Sequence, residues 1–499
     1  MTTRMLQGLL DERAYDHDTD DIHVIETHIS WVVCTGPFVY KIKKPVDLGF
    51  LDFSTLEKRR FYCHEELRLN HVLAAELYLD VVAITGTPEH PHVAGRGAAI
   101  EYAVKLRQFD QDCEFDRLLA DGRLKEHHID EAVDTIVGFH DSTPRLEHTV
   151  TGFAETTHRP VRENYRQAGK HKLPPAQQER LEKLRQWHDA QFTGLAAAIE
   201  ERLTAGFVRE CHGDLHLGNI VYYHEKVILF DRLEFDPQLR FIDVINEIAF
   251  MLMDLEARGQ QRLAHRFLSR WLQRSGDYAG LYLLDYYKCY RSMVRAKVAL
   301  IQNNEAEFLR YLTLAETCTK QRATALILTH GLSGSGKSTI SQPLAPLINA
   351  IIIRSDVERK RHLREFSTEL YGTEATRQTY NLLAAAAEAI IYAGYSAIVD
   401  ATFLKKEQRQ LFMAIAQRLN RTCIILDFQA PRELMVHWIN ERIEKGNDVS
   451  DATVDILDQQ IRNQEALTEN ERRHTLVVDT SRNVEVADLA SAILACIDR

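Results

Sequence analysis

The chain opens with short runs of β-branched and aromatic residues. Residues 22–33 (IHVIETHISWVV) and 38–42 (FVYKI) flank Thr35-Gly36-Pro37 and predict a hairpin. From 55 to 79, Leu56, Phe61, Leu67, Leu69 and Leu73 recur among charges with no internal Gly or Pro, the spacing of an amphipathic helix. Strand-like runs follow at 79–84 and 99–106, so the chain begins with a small α+β lobe. Residues 112–207 read as mainly helical, with a break at Lys172-Leu173-Pro174-Pro175. A polar loop, HGDLHLGN, then precedes two short strands, IVYY and KVILF. Residues 242–318 return to helical texture, and the absence of Gly and Pro between 281 and 323 predicts long helix there.

At 324–330 (TALILTH) the texture changes to an apolar strand followed at once by a Gly-rich loop. Beyond it, strands at 349–353, 396–400, 422–428 and 475–479 alternate with helices at 374–392, 405–419, 431–444 and 452–468. Such alternation predicts an α/β domain with a parallel sheet. The expected organisation is an α+β domain over 1–318 and an α/β domain over 323–499, with the boundary near 318–323.

Composition narrows this modestly. With 45% hydrophobic and 27% charged residues among 499, wholesale disorder is excluded. A net charge of −11 argues against a DNA-coating protein, which needs excess positive charge against phosphates. The acidity lies mostly upstream, since residues 321–499 hold 21 Lys and Arg against 23 Asp and Glu. The eight cysteines include no C-x-x-C pair, so neither a zinc ribbon nor a thioredoxin-like pair is written here. No secretory signal is visible and no window approaches 18 uninterrupted apolar residues, so the expectation is a cytoplasmic protein without a membrane segment.

The loop at 331–339 fits G-x-x-x-x-G-K-[ST], the P-loop. Gly331, Gly334 and Gly336 let the backbone turn tightly, with Ser333 and Ser335 between them, so that successive N–H groups point at phosphate oxygens. The helix that follows the loop adds its N-terminal dipole. Lys337 is placed to reach the β/γ-phosphates and the Ser338 hydroxyl to sit on Mg²⁺. Downstream, Asp356 and Arg359 form D-x-x-R, an acid to accept a hydroxyl proton beside a cation to hold an anionic group. A helix N-cap is the structural alternative for Asp356. Asp400 ends the strand SAIVD, where a carboxylate can orient the magnesium shell. Arg442 and Arg432 flank the lid-like segment GNDVSDA, and a lid arginine stabilises charge on a transferring phosphoryl group.

The HGDLHLGN loop carries a second constellation. Asp214 has the place of a base accepting a hydroxyl proton. Asn219, five residues on, and Asp231, after a strand pair, have the types and order of magnesium ligands. His212, Asp214 and His216 as a transition-metal set, or HGD and GN as plain polar turns, are the competing readings.

Two resemblances follow from these motifs. TALILTHGLSGSGKST, RSDVERKR, SAIVDATFLKKEQR, ERIEKGNDVSDA and VVDTS resemble the small P-loop kinases grouped with zeta-toxin, gluconate-kinase, chloramphenicol-phosphotransferase and polynucleotide-kinase relatives. CHGDLHLGNI and ILFDRLEF resemble the aminoglycoside-phosphotransferase branch of the protein-kinase-like fold. YKIKKPVDLGFLDFSTLEKRRF further resembles bacterial members of that branch fused to a P-loop kinase. The resemblance implies a two-lobed protein-kinase-like domain in which a strand lysine pairs with a helix glutamate. Lys41 and Glu66 are the candidates, with Lys43, Lys44, Lys105 and Glu65 nearby. One departure is plain: no G-x-G-x-x-G lies between the first two strands.

The expectation is therefore an ATP- and Mg²⁺-dependent phosphotransferase with two nucleotide sites, acting on hydroxyls of small molecules. Asp214, Asp356, Lys337 and Arg442 are the catalytic candidates. Gly331, Ser333, Gly334, Ser335, Gly336, Lys337, Ser338, Thr339, Lys41 and Glu66 are the nucleotide contacts, and Asn219, Asp231, Ser338 and Asp400 the metal-site residues. A 5′-hydroxyl polynucleotide kinase is the less favoured reading of the second domain, and a nucleotide-sensing regulator with one inactive domain is another.

Overall fold

The computed structural model describes residues 3–47, 49, 51–147, 151–366, 373–445 and 452–497. The chain forms two compact units, Met1–Gly259 with Tyr287–Ala315, and Gln260–Tyr286 with Glu316–Arg499.

In the first unit the strands β1 (His23–Glu26), β2 (Ser30–Cys34), β3 (Phe38–Lys43), β4 (Tyr78–Gly86), β5 (Pro91–Val93) and β6 (Glu101–Arg107) form one sheet. Its order is β1-β2-β3-β6-β4-β5, antiparallel throughout. The apolar run 22–33 is two strands because Thr27 turns the chain, its hydroxyl accepting the Ser30 N–H at 2.9 Å. On β3 the side chains alternate: Tyr40 and Ile42 enter an apolar cluster with Val33, Ile84 and Ala103, while Lys41 and Lys43 share the other face. The helix Leu56–Ala74 starts at the N-cap Thr55, ends before the expected 79, and turns Cys63, Glu66 and Asn70 inward. Helices Glu126–Ser142, Phe153–Ala168 and Pro175–Thr204 follow. They precede a two-stranded ladder of β7 (Val208–Glu210) with β10 (Phe241–Asp243), and a hairpin of β8 (Ile220–Tyr223) with β9 (Lys226–Leu229).

The second unit is a P-loop α/β domain. Strands β11 (Ala325–His330), β12 (Ala350–Arg354), β13 (Ser396–Asp400), β14 (Thr422–Gln429) and β15 (Thr475–Asp479) are parallel, in the order β12-β13-β11-β14-β15. β11 and β13 are buried along their whole length, as strands covered on both faces must be. The chain leaves β11 first toward β12 and β13 and later toward β14 and β15, so the crevice for a ligand opens at the carboxyl end of β11. The terminal helix Val486–Ile497, beyond the elements expected from the sequence, sets Ala490 and Ile493 against Ile327, Ile424 and Val478.

The chain crosses between the units three times, the last at Ala315/Glu316, close to the expected boundary at 318–323. The segment Gln260–Tyr286 belongs to the P-loop unit because polar contacts tie it there. The His265 ring donates to the Ala350 carbonyl at 2.7 Å, the Tyr278 hydroxyl donates to Glu358 at 2.9 Å, and Asp285 pairs with Arg322 at 3.1 Å. The helical stretch 281–323 is two helices, Leu281–Ile301 and Glu305–Thr317, separated at Asn303, whose φ is +55°. Tyr286, Tyr287 and Tyr290 are buried in packing, and Tyr282 is exposed. No helix among the described residues is long and apolar enough to cross a membrane.

Candidate functional site

In the P-loop unit, a cavity of about 1030 Å³ is lined by residues 333–340, Asp356, Arg359, Asp400 and Arg442 among others. Gly334 and Gly336 have φ of +78° and +83°. At Gly334 a Cβ would lie 2.9 Å from the Ile439 side chain and the Met435 carbonyl, so the turn admits no side chain there. The loop is fastened from outside. Gln460 accepts the Ser333 N–H at 2.8 Å and donates to its hydroxyl at 3.0 Å, and Thr480 donates to the Ser335 carbonyl at 3.0 Å.

Lys337 is buried, and its ammonium donates to the carbonyls of Gly331 at 3.0 Å and Leu332 at 2.6 Å. Burial pulls its pKa down to about 8 against the opposing charges of Asp400 and Asp356. The Ser338 hydroxyl donates to Asp400 Oδ2 at 2.6 Å. Burial raises the Asp400 carboxyl above its ordinary range, opposed by Ser338 and Lys337. Asp356 pairs with Arg359 at 2.6 Å in the first turn of the helix Ser355–Phe366. Arg442 donates to the Ala452 carbonyl at 2.8 Å and lines the cavity. Arg432 is instead held by Asp458 at 2.7 Å and is not among the lining residues. Its place at the start of the helix Arg432–Lys445 removes it from the phosphate cavity. The lid-like segment 446–451 lies outside the described residues. Tyr380 and Gln460 line the cavity without having been singled out in the sequence, where neither stands in a motif.

In the first unit a buried ion network joins the sheet, the helix Leu56–Ala74 and the segment after β9. Glu66 pairs with Lys41 at 2.9 Å and accepts from Lys43 at 2.7 Å. Lys41 also pairs with Asp231, and Lys43 with Glu234. Burial works against each charge, but Lys41 and Lys43 outweigh it at Glu66, whose carboxyl is held at about 2. The Asp231 and Glu66 charges likewise keep Lys41 well above its ordinary value. Asp231 itself takes φ +63°, a left-handed backbone that a non-glycine residue rarely adopts. Lys44 pairs with Glu26, Lys105 sits 3.9 Å over the Phe38 ring, and Glu65 pairs with Arg68, so none of these joins the network. Lys43 and Glu234 are the members that sequence reasoning does not assign. The i, i+2 spacing of Lys41 and Lys43 on one strand is the available signal.

The HGD loop is suspended from two buried acids. Glu247 accepts the N–H groups of His212 and Gly213, each at 2.8 Å, and Asp254 accepts that of Leu217 at 3.1 Å. Arg291 donates to the Gly213 carbonyl at 3.0 Å. The Asn219 amide donates to the Asp214 carbonyl at 2.9 Å and to its carboxylate at 3.3 Å. The Phe230 N–H donates to the Asn219 carbonyl at 3.0 Å, which brings Asp231 into the same site. Burial alone raises the Asp214 carboxyl, but His216, His212 and Arg291 outweigh it and hold it far below the ordinary range. His212 spends Nε2 on the Phe230 carbonyl at 2.8 Å and Nδ1 on the Asp214 N–H, so it is not available beside His216 as a metal ligand. Thr35, Gly36 and Pro37 make a tight turn between β2 and β3, closed by the Thr35 N–H on the Phe38 carbonyl at 2.9 Å, where a Gly-rich flap is absent.

Residues 326–467 match the AAA domain family. Over 456 residues the chain is 28% identical to an uncharacterized protein of Mycobacterium tuberculosis, covering 88% of this chain and 89% of that one. Among solved structures it is similar to a gluconokinase from Sinorhizobium meliloti 1021 (15% identity, 36% of this chain, 94% of that chain, TM-score 0.27). It is also similar to the Mycobacterium tuberculosis APS kinase in complex with AMPPNP and APS (15% identity, 36% and 100%, TM-score 0.27).

Proposed function

We propose that the chain is an ATP-dependent phosphotransferase with two nucleotide sites, each moving a γ-phosphoryl group to the hydroxyl of a small molecule. The observation that carries this reading is the cavity in which the P-loop, the Ser338–Asp400 pair and the Asp356–Arg359 pair line one space. The glycine turns and the helix start at Lys337 fit an oligophosphate, and the oxygen donors of Ser338 and Asp400 fit a hard cation such as Mg²⁺. Bound Mg²⁺ would supply neutralisation of charge on the β- and γ-oxygens.

Lys337 must exchange its two carbonyl acceptors for phosphate oxygens when nucleotide enters. Asp356 accepts the proton of the attacking hydroxyl, and Arg359, which donates to that carboxylate, orients it and holds an anionic group of the acceptor. Arg442 lines the cavity where charge develops on the transferring group.

The first unit supports the same chemistry in a protein-kinase-like arrangement. Lys41, set by Glu66, reaches the phosphates. Asp214 is the base, and Asn219 Oδ1 and the Asp231 carboxylate are the oxygens left for Mg²⁺ once the Asn219 amide is spent on Asp214. Incubating the full chain with γ-labelled ATP and a mixture of sugars, polyols and sugar acids tests the reading, with a 5′-hydroxyl oligonucleotide in a parallel arm. Labelled small-molecule phosphate esters that disappear in the combined Lys337→Ala and Asp214→Ala variant support it. Label passing only to the oligonucleotide overturns it in favour of an end kinase.

A further inference from the structure

The P-loop unit holds a second cavity, of about 590 Å³, that shares no lining residue with the phosphate cavity. Its walls include His330, Gly331, Leu332, Asp427, Gln429 and Arg472. The strand end therefore divides the P-loop between two spaces: residues 330–332 face this cavity and 333–340 face the other.

His330 is only 9% exposed. Its Nδ1 lies 2.6 Å from Asp427 Oδ1, and the other Asp427 oxygen accepts from the Gln429 amide at 2.7 Å. Burial pushes the Asp427 carboxyl up, but these two donors outweigh it, so the group stays an ionised acceptor. His330 Nδ1 is thereby spent on Asp427. His330 Nε2 is buried with no hydrogen-bond partner among the described residues. A buried polar atom left unpaired is costly and marks a group that a water, an ion or a ligand completes. Arg472, on the same cavity, makes no side-chain ion pair or hydrogen bond among the described residues. Its planar fork matches a carboxylate or a phosphate. The Gln429 amide is already committed to Asp427, which leaves the buried His330 nitrogen, the exposed Arg472 guanidinium and the exposed Gln464 amide on the cavity wall.

We infer that this cavity is a binding site for a small hydroxylated anion, a carboxylate or phosphate taken by Arg472 with a hydroxyl donated to His330 Nε2, and that its occupancy weakens nucleotide binding in the neighbouring cavity. The second half rests on the nucleotide reading of the P-loop; the first half does not. The link is Lys337, whose ammonium is bonded to the carbonyls of Gly331 and Leu332, the two P-loop residues that wall the second cavity. A ligand packed against those peptides in this conformation favours the state in which Lys337 is turned away from phosphate. By linkage, nucleotide lowers affinity for that ligand by the same factor.

Calorimetry on the full chain tests this with malate for the carboxylate source and glycerol 3-phosphate for the phosphate source. Each is titrated without nucleotide into wild type, Lys337→Ala, Arg472→Gln and His330→Gln, with thermal unfolding confirming that the variants are folded. The expected result is binding of at least one probe that survives Lys337→Ala and weakens about tenfold or more in Arg472→Gln and in His330→Gln. The bound probe should also weaken Mg²⁺–ATP binding in wild type and leave it unchanged in Arg472→Gln. Neither probe binding at 10 mM, or binding lost in Lys337→Ala and kept in Arg472→Gln, overturns the site. Probe binding with no change in nucleotide affinity overturns the coupling. Loss of nucleotide binding altogether, with probe binding intact, overturns the nucleotide reading and leaves the anion site standing.

Discussion

Ser338 and Asp400 are joined by a 2.6 Å hydrogen bond between the start of the P-loop helix and the end of β13. The serine follows the loop lysine and the aspartate ends a strand 62 residues later, so the parallel sheet is what brings them together. This pair makes the phosphate cavity a candidate cation site as well as an anion site.

Asp400→Asn keeps the shape of the side chain and removes its charge. Groups that orient a metal shell are worth about 10–100-fold in metal affinity. The Mg²⁺ concentration for half-maximal nucleotide binding at the P-loop should rise by about that factor, read by fluorescence of a labelled ATP analogue. An unchanged Mg²⁺ requirement would remove Asp400 from the metal site.

Lys337 gives a pH dependence with a defined sign. In the ligand-free protein burial lowers it to about 8, so it is cationic below that pH and neutral above it. Phosphate oxygens favour the ammonium, so above pH 8 nucleotide binding must draw a proton from solvent. ATP affinity at this site should be flat below pH 8 and fall by up to about tenfold per unit above it. Calorimetry in buffers of different ionisation enthalpy should show proton uptake at pH 9, and Lys337→Arg should abolish the slope.

The P-loop is legible in the amino-acid order because a strand, three glycines, a lysine and a serine are contiguous. The parallel sheet is legible because strands buried on both faces are unbroken apolar runs. Asp214, Asn219 and Asp231 can be picked by order, since a loop and a hairpin keep them within 18 residues. The Lys41–Glu66 pair is only one choice among several, because what selects it is the face that β3 turns toward the helix Leu56–Ala74. The i, i+2 spacing puts Lys43 on the same face as Lys41, but its pairing with Glu234 cannot be read, because 191 positions separate them and only the folded first unit joins them. The placement of Gln260–Tyr286 is hidden for a related reason. Helical periodicity shows that a segment has an apolar face but not which core receives it.

The Lys43–Glu234 pair sets a stability prediction for the first unit. Lys43 is fully buried and Glu234 nearly so, and Glu66 bridges to Lys41. Glu234→Ala leaves a buried ammonium short of a partner and should cost about 3–5 kcal/mol. Replacing Lys43 and Glu234 together by methionine and leucine should cost far less. Urea unfolding of the two variants beside wild type checks this, and equal losses in the single and the double variant would contradict a coupled pair.

Glu247 holds the HGD loop without touching its aspartate. Glu247→Ala strips the His212 and Gly213 amides of their acceptor, each a buried donor worth about 1–3 kcal/mol when orphaned. Nucleotide binding in the first unit should weaken, while binding at the P-loop should not change. Labelled-nucleotide titrations in a Lys337→Ala background isolate the first site. Weakening confined to the P-loop site would contradict the assignment.

The claim of two nucleotide sites is tested most directly by binding stoichiometry. Titrating a non-hydrolysable ATP analogue with Mg²⁺ into the full chain should give two equivalents for wild type, one for Lys337→Ala, one for Lys41→Ala and none for the combined variant. A single equivalent in wild type, lost in Lys337→Ala alone, would contradict the account and leave the first unit without a nucleotide.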